Sequence, residues 1–169
     1  MRTRVSRRRG SALLEAAMLT PLIVLLLTGM VTIARITYTW YTLRKTVYSI
    51  ARYVGTQQGV NFCSASDPAI TQAINFGLTG TTDGSQPVFV TGLTADMFQI
   101  TAEQYDPVGQ TISACSCGLP GCDPTQGGSA PDFIVVSMPN GYQEPVRILG
   151  LNIDPIVLKP QVKVPYGGT

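Results

Sequence analysis

Arg7-Arg8-Arg9-Gly10-Ser11-Ala12-Leu13-Leu14-Glu15 runs straight into an apolar segment and sets one carboxylate at the mouth of a membrane-length helix. No charge occurs from Ala16 to Ala34. At about 1.5 Å rise per residue these positions make a helix of about 28 Å, close to the hydrocarbon thickness of a bilayer. An ionisable group at the edge of such a segment is costly to bury, so Glu15 is expected to be paired or functional. The bland reading is that it snorkels to headgroup level and faces the helix N-terminus.

The residues divide the chain into a basic leader (1–10), a transmembrane helix (11–34) and an extracytoplasmic head (35–169). The leader shows no hydrophobic periodicity and is expected to be disordered until it meets the membrane. Pro21 and Gly29 fall within the span and are tolerated where neighbours satisfy the freed backbone groups, with a kink expected near Pro21. Tyr38, Trp40 and Tyr41 have the composition of an interfacial belt. Leu43, Val47, Ile50 and Val54 then recur at spacings of four, three and four, so the same helix leaves the membrane as an amphipathic rod of about forty residues in all, ending at Gly55 or Gly59.

In the head, Asp67-Pro68 reads as an N-cap and first turn, with Ile70, Ala73, Ile74 and a stop at Gly77. Strands are predicted at 87–90, 97–105, 110–115, 133–138 and 156–164, with turns at 106–109 and 139–141 and an irregular loop at 117–131. Pro160 makes the last strand an edge or a bulged one. The fold class is α+β, a long N-terminal helix packed on a small, mostly antiparallel sheet.

Charge excludes some partners. Five of the twelve basic residues belong to the leader, leaving seven against ten acids, so no basic patch for nucleic acid is expected. The leader's arginines predict a cytoplasmic N-terminus, opposed only weakly by Arg35, Arg44 and Lys45 beyond the span. This orientation places the head outside the cytoplasm of a single-pass inner-membrane protein. Cys63, Cys115, Cys117 and Cys122 all lie there, and an even number in an oxidising compartment favours disulfides. Three pairings are possible, the simplest tying Cys63 to the sheet or loop with a second bridge inside 115–122. Zinc is disfavoured because Cys-x-Cys-x4-Cys is not a standard ligand spacing and the chain has no histidine. Without histidine the Ser-His-Asp and Cys-His constellations are also absent, so neither catalysis nor a cofactor is expected. Asp83, Asp123 and Asp132 could hold calcium but read more simply as turn residues.

A basic run, a glycine, and a glutamate four residues past the following serine, all at the start of a span, resemble the processing site of type IV pilin-like proteins. The resemblance implies cleavage by a prepilin peptidase between Gly10 and Ser11, making Glu15 the fifth residue of the mature chain. It also implies that Glu15 meets the new α-amino group of a neighbouring Ser11 and sets subunit register. Ala16 after Glu15 and the long Cys-containing head narrow the likeness to TadE-like minor pilins or pseudopilins of the tight-adherence, Flp-type pilus. That likeness covers Arg9 to about Tyr53, and the partners it implies are the membrane, the peptidase and other pilus subunits. Two rivals remain: a single-pass anchored binding protein that never polymerises, and a secretory signal cut after Thr32-Ile33-Ala34. The apolar run exceeds a signal-peptide core, and the amphipathic stripe continues past that cut. A membrane-anchored enzyme stands third.

Overall fold

The computed structural model describes residues 6–64, 66–117, 122, 127–148 and 151–168. One helix, α1 (Ser6–Gly55), carries fifty residues without interruption. It is longer than the sequence pattern implied because Ser6–Gly10 are already helical, which corrects the expectation of a structureless leader. Arginine is a good helix former, and extending an existing helix avoids the cost of a new nucleus. Arg2 and Arg4 lie outside the described residues.

The chain divides into two compact units, Met1–Tyr38 with Glu144–Ile156, and Thr39–Gln143 with Val157–Thr169. In the second unit the last four turns of α1 are the spine of the core. Leu43, Val47, Ile50 and Val54, spaced four, three and four, are fully buried there together with Ala51. Helix α2 (Pro68–Thr79) starts as expected: the Asp67 side chain accepts from Ala69 N at 2.8 Å, and Pro68 takes the first turn, where its missing N–H is harmless. Its stop is Gly80, not Gly77. Gly80 adopts φ 83° and donates its N–H to the Phe76 carbonyl, a left-handed cap suited to glycine. Gly77 lies inside the helix because α1 passes there, and a Cβ on it would come within 2.3 Å of Ile50 Cγ1 and 3.2 Å of the Thr46 carbonyl.

The main sheet has the order β2-β1-β3-β6, every neighbouring pair antiparallel. Strand β1 (Gln99–Asp106) turns through 107–110 into β2 (Thr111–Ala114), and β3 (Phe133–Ser137) pairs β1 from Gln99↔Ser137 to Glu103↔Phe133. Ile134, Val135 and Val136 are all buried, so this inner strand is apolar on both faces. The expected strand at 87–90 is absent. Pro87 cannot donate to a ladder, and Phe89 N instead reaches the Leu78 carbonyl at 3.0 Å, holding the segment against the end of α2. The expected strand at 156–164 is two strands broken at Lys159-Pro160. Strand β5 (Leu151–Leu158) pairs with β4 (Tyr142–Ile148) in a separate two-stranded sheet, and β6 (Gln161–Pro165) is an edge of the main one, the position anticipated for it. Pro160 has no N–H to offer, but its carbonyl accepts from Met138 N.

The end of the chain closes on the end of α1. Gly167 N donates to the Gly55 carbonyl at 2.9 Å, and the Tyr166 hydroxyl donates to the Gln57 carbonyl at 2.8 Å. Partial burial holds that phenol above its ordinary pKa. Two disulfides add covalent ties. Cys63, eight residues past α1, joins Cys117 beyond β2, and Cys115 joins Cys122, each with a Cα separation of 5.5 Å.

Two stability predictions follow from this packing. Gly77→Ala gains about 1 kcal/mol of helix propensity but forces α2 away from buried Ile50, an overpacking cost of about 1–3 kcal/mol. Gly77→Val is expected to be worse than Gly77→Ala, while Gly29→Ala, with nothing within 4 Å of its Cβ, leaves the head's denaturant midpoint unchanged. For the disulfides, loop-closure entropy gives about 4 kcal/mol for the bridge spanning 54 residues and about 2.5 kcal/mol for the one spanning 7. Unfolding curves should therefore show a larger loss for the Cys63→Ser/Cys117→Ser pair than for Cys115→Ser/Cys122→Ser.

Candidate functional site: the Gly10–Glu15 segment and the apolar helix

The backbone of Gly10 and Ser11 is helical and continuous with the span. Glu15 follows Ser11 by four residues, one turn on, so the two positions share a face of α1. In the uncut chain Glu15 stands nine residues from the helix start, too far for the N-terminal dipole, whose effect is confined to the first turn. A chain beginning at Ser11 would bring it close to a helix N-terminus. The carboxylate is exposed on this single chain.

From Ala12 to Leu27 every residue is exposed. Thirteen large apolar side chains between Leu13 and Ile33 remain uncovered, Met18 and Met30 each at 73%. At about 1.5–3 kcal/mol per buried side chain, covering them is worth about 20–40 kcal/mol, more than the entire stability of an ordinary domain. The hydroxyls within this stretch are already satisfied. Thr20, Thr28, Thr32 and Thr37 each donate to the carbonyl four residues back, at 2.7, 2.9, 2.8 and 2.9 Å. In a solvent without hydrogen-bonding partners that arrangement removes their penalty. The helix is long and apolar enough to cross a membrane and points to single-pass anchoring.

The remaining sequence candidates separate. The four cysteines are paired two by two, so their sulfurs do not converge on one metal position. Asp83 is a turn residue: a hydrogen bond from the Thr81 side chain, with the two that Ser85 donates to its carboxylate through N and Oγ, holds it below the usual carboxylate range. Asp132 accepts from Tyr105 N at 2.7 Å and so fastens the end of β1. Asp123 lies outside the described residues. Among the described residues no cluster of three or more His, Cys, Asp or Glu side chains could hold a metal.

The sequence reading missed strand β4 and therefore the two-stranded sheet. Glu144 and Pro145 had offered only a weak signal, since a proline in the run argues against a strand.

Comparison with curated proteins and with solved structures finds no match to the chain. A family model does match, over residues 10–52, from the glycine at the end of the leader to the last turn of α1. That model is described as TadE-like protein, so Gly10 and most of α1 after it carry the TadE-like pattern, consistent with a TadE-like protein of the tight-adherence pilus system.

Proposed function

We propose that this chain is a minor pilin or pseudopilin, a structural rather than catalytic component in the assembly of a tight-adherence pilus. The observation that carries the reading is the conjunction on one helix of Arg7–Gly10, the carboxylate of Glu15 and an apolar surface exposed all round from Ala12 to Leu27. A lipid bilayer covers such a surface before assembly. Neighbouring helices of a filament cover it afterwards, which is why a polymerising subunit needs an apolar helix without a dedicated partner in its own fold. The TadE-like match over residues 10–52 supports this role.

In this reading the N-terminus is cytoplasmic, the head is outside the inner membrane, and prepilin peptidase cuts between Gly10 and Ser11. The cut removes the five arginines that hold the helix end at the cytoplasmic surface and creates an α-amino group at Ser11. Glu15 is the only acid before Asp67 and so the natural counter-charge for that amine on a neighbouring subunit. Desolvation makes a buried pair a poor source of net stability but a strong constraint on geometry, which suits axial registration.

Two measurements test this. Intact mass of protein extracted from its native membrane should show loss of residues 1–10, and Gly10→Leu should retain them. A mature chain that begins at Met1 leaves a plain anchored binding protein, and one that begins at Arg35 a secreted one. Glu15→Ala is expected to insert at least as well as the parent chain, because it removes a charge from the edge of the span, yet to fall at least tenfold in recovery with sheared pili. Unchanged recovery would remove the carboxylate from any registering role.

A further inference from the structure

Along α1 from Ala12 to Tyr38 only Thr28, Gly29, Thr32 and Ile36 are partly covered, all the others being exposed. At 100° per residue these four fall within about 100° of the helix circumference, a single face. The compact unit that contains this stretch has one other segment, Glu144–Ile156, which comprises most of the β4–β5 pair. Within that unit Glu144 and Pro145 lie beside this face, lining one open cleft with Thr28, Thr32, Arg35 and Ile36.

The position of this face conflicts with simple exposure to water. Thr28 lies six residues before Ala34, about 9 Å inside the uncharged run. A segment that reaches Thr28 enters the outer edge of the bilayer if residues 16–34 are the span, and the inference rests on that reading. We infer that the β4–β5 hairpin is a second membrane contact, seated in the outer leaflet at the boundary of headgroups and acyl chains.

Its chemistry fits that depth. Successive residues of a strand alternate between faces, so Ile153 and Pro155 share one face of β5, both apolar. Ile153 and Pro155 are exposed on it, and Ile156 is exposed on the other face. Between Pro145 and Ile156 the only charges are Arg147 and Asp154, while Arg35 and Glu144 share the cleft at the level where the uncharged run ends. An open two-stranded sheet cannot lie in the hydrocarbon centre, where its edge N–H and C=O groups would have no partners. The interface permits it, and elements lying there sit about 5–10 Å deep.

The test is depth-dependent quenching by brominated lipids in vesicles of phosphatidylethanolamine and phosphatidylglycerol, using the full chain with Trp40→Phe as background. Three single-tryptophan versions are compared: Ile153→Trp in the hairpin, Leu25→Trp at mid-span and Val108→Trp in the exposed 107–110 turn. Lipid brominated at the 6,7 acyl positions is expected to quench Ile153→Trp at least twofold, and more strongly than lipid brominated at 11,12. Leu25→Trp should show the reverse preference, and Val108→Trp no quenching. Absence of free thiols confirms that each variant keeps its disulfides. An Ile153→Trp signal no more quenched than Val108→Trp, with Leu25→Trp quenched, would overturn the hairpin inference alone, including the case in which the hairpin instead meets a second copy. An unquenched Leu25→Trp would overturn the span and the inference together.

Discussion

The constraint on which this molecule depends is that α1 is apolar and exposed all round from Ala12 to Leu27. A helix that is apolar all round is stable only within a low-dielectric surrounding, and here the exposed apolar side chains outweigh what a small head could offset. Thr20, Thr28 and Thr32 show the same constraint at the level of single atoms, since each turns its hydroxyl back to a carbonyl of its own helix. Fifty helical residues without a break follow naturally, because any break in the lipid run would leave backbone groups without acceptors.

The second half of the same helix has the opposite task and a different composition. Once charged residues reappear at Arg35, Arg44 and Lys45, the apolar positions contract to one stripe, and that stripe is the fully buried core of the head. Around it the head is tied at several separated points in sequence: Gly77 at the crossing of α2, the Tyr166 and Gly167 bonds at the helix's end, and the Cys63–Cys117 bridge. These ties all lie close to residues 46–63, so order in the head depends on the register of α1.

Much of this is legible in the sequence because the strongest signals are local. The 4-3-4 stripe at Leu43–Val54, the Asp67-Pro68 start of α2, and the apolar run at Phe133–Met138 each depend on neighbours a few residues away, and each appears where expected. The failures share a cause. Gly77 looks like a helix stop until Ile50, twenty-seven residues earlier, is known to need its space. The 87–90 segment has strand-forming residues but no edge to pair with, and 156–164 is continuous in composition although its halves pair with different partners. Strand β4 is concealed by Pro145, tolerated in a two-stranded sheet where one side of every strand is unpaired. The site divides in the same way: the Arg7–Glu15 pattern is read from contiguous residues, whereas the pairing of four cysteines depends on the folded topology.

The proposed registering role of Glu15 can be weighed against the alternatives by magnitude. A carboxylate and an amine at 4 Å attract by about 4 kcal/mol at an effective dielectric of 20, while each loses several kcal/mol of hydration on burial. The two quantities nearly cancel, so the pair adds little to the cohesion of a filament that the apolar helices already hold together. Misalignment is different. A slip of one helical turn, about 5.4 Å, separates the charges while leaving both buried, and the hydration loss then stands without its offset. The apolar surface alone cannot supply that discrimination, because leucine, isoleucine and valine side chains from Leu19 to Leu27 present much the same surface after such a slip. A single acid at the edge of an otherwise uncharged run is therefore the economical way to give a greasy helix one preferred axial position, and Glu15 is the only residue before Asp67 able to do it.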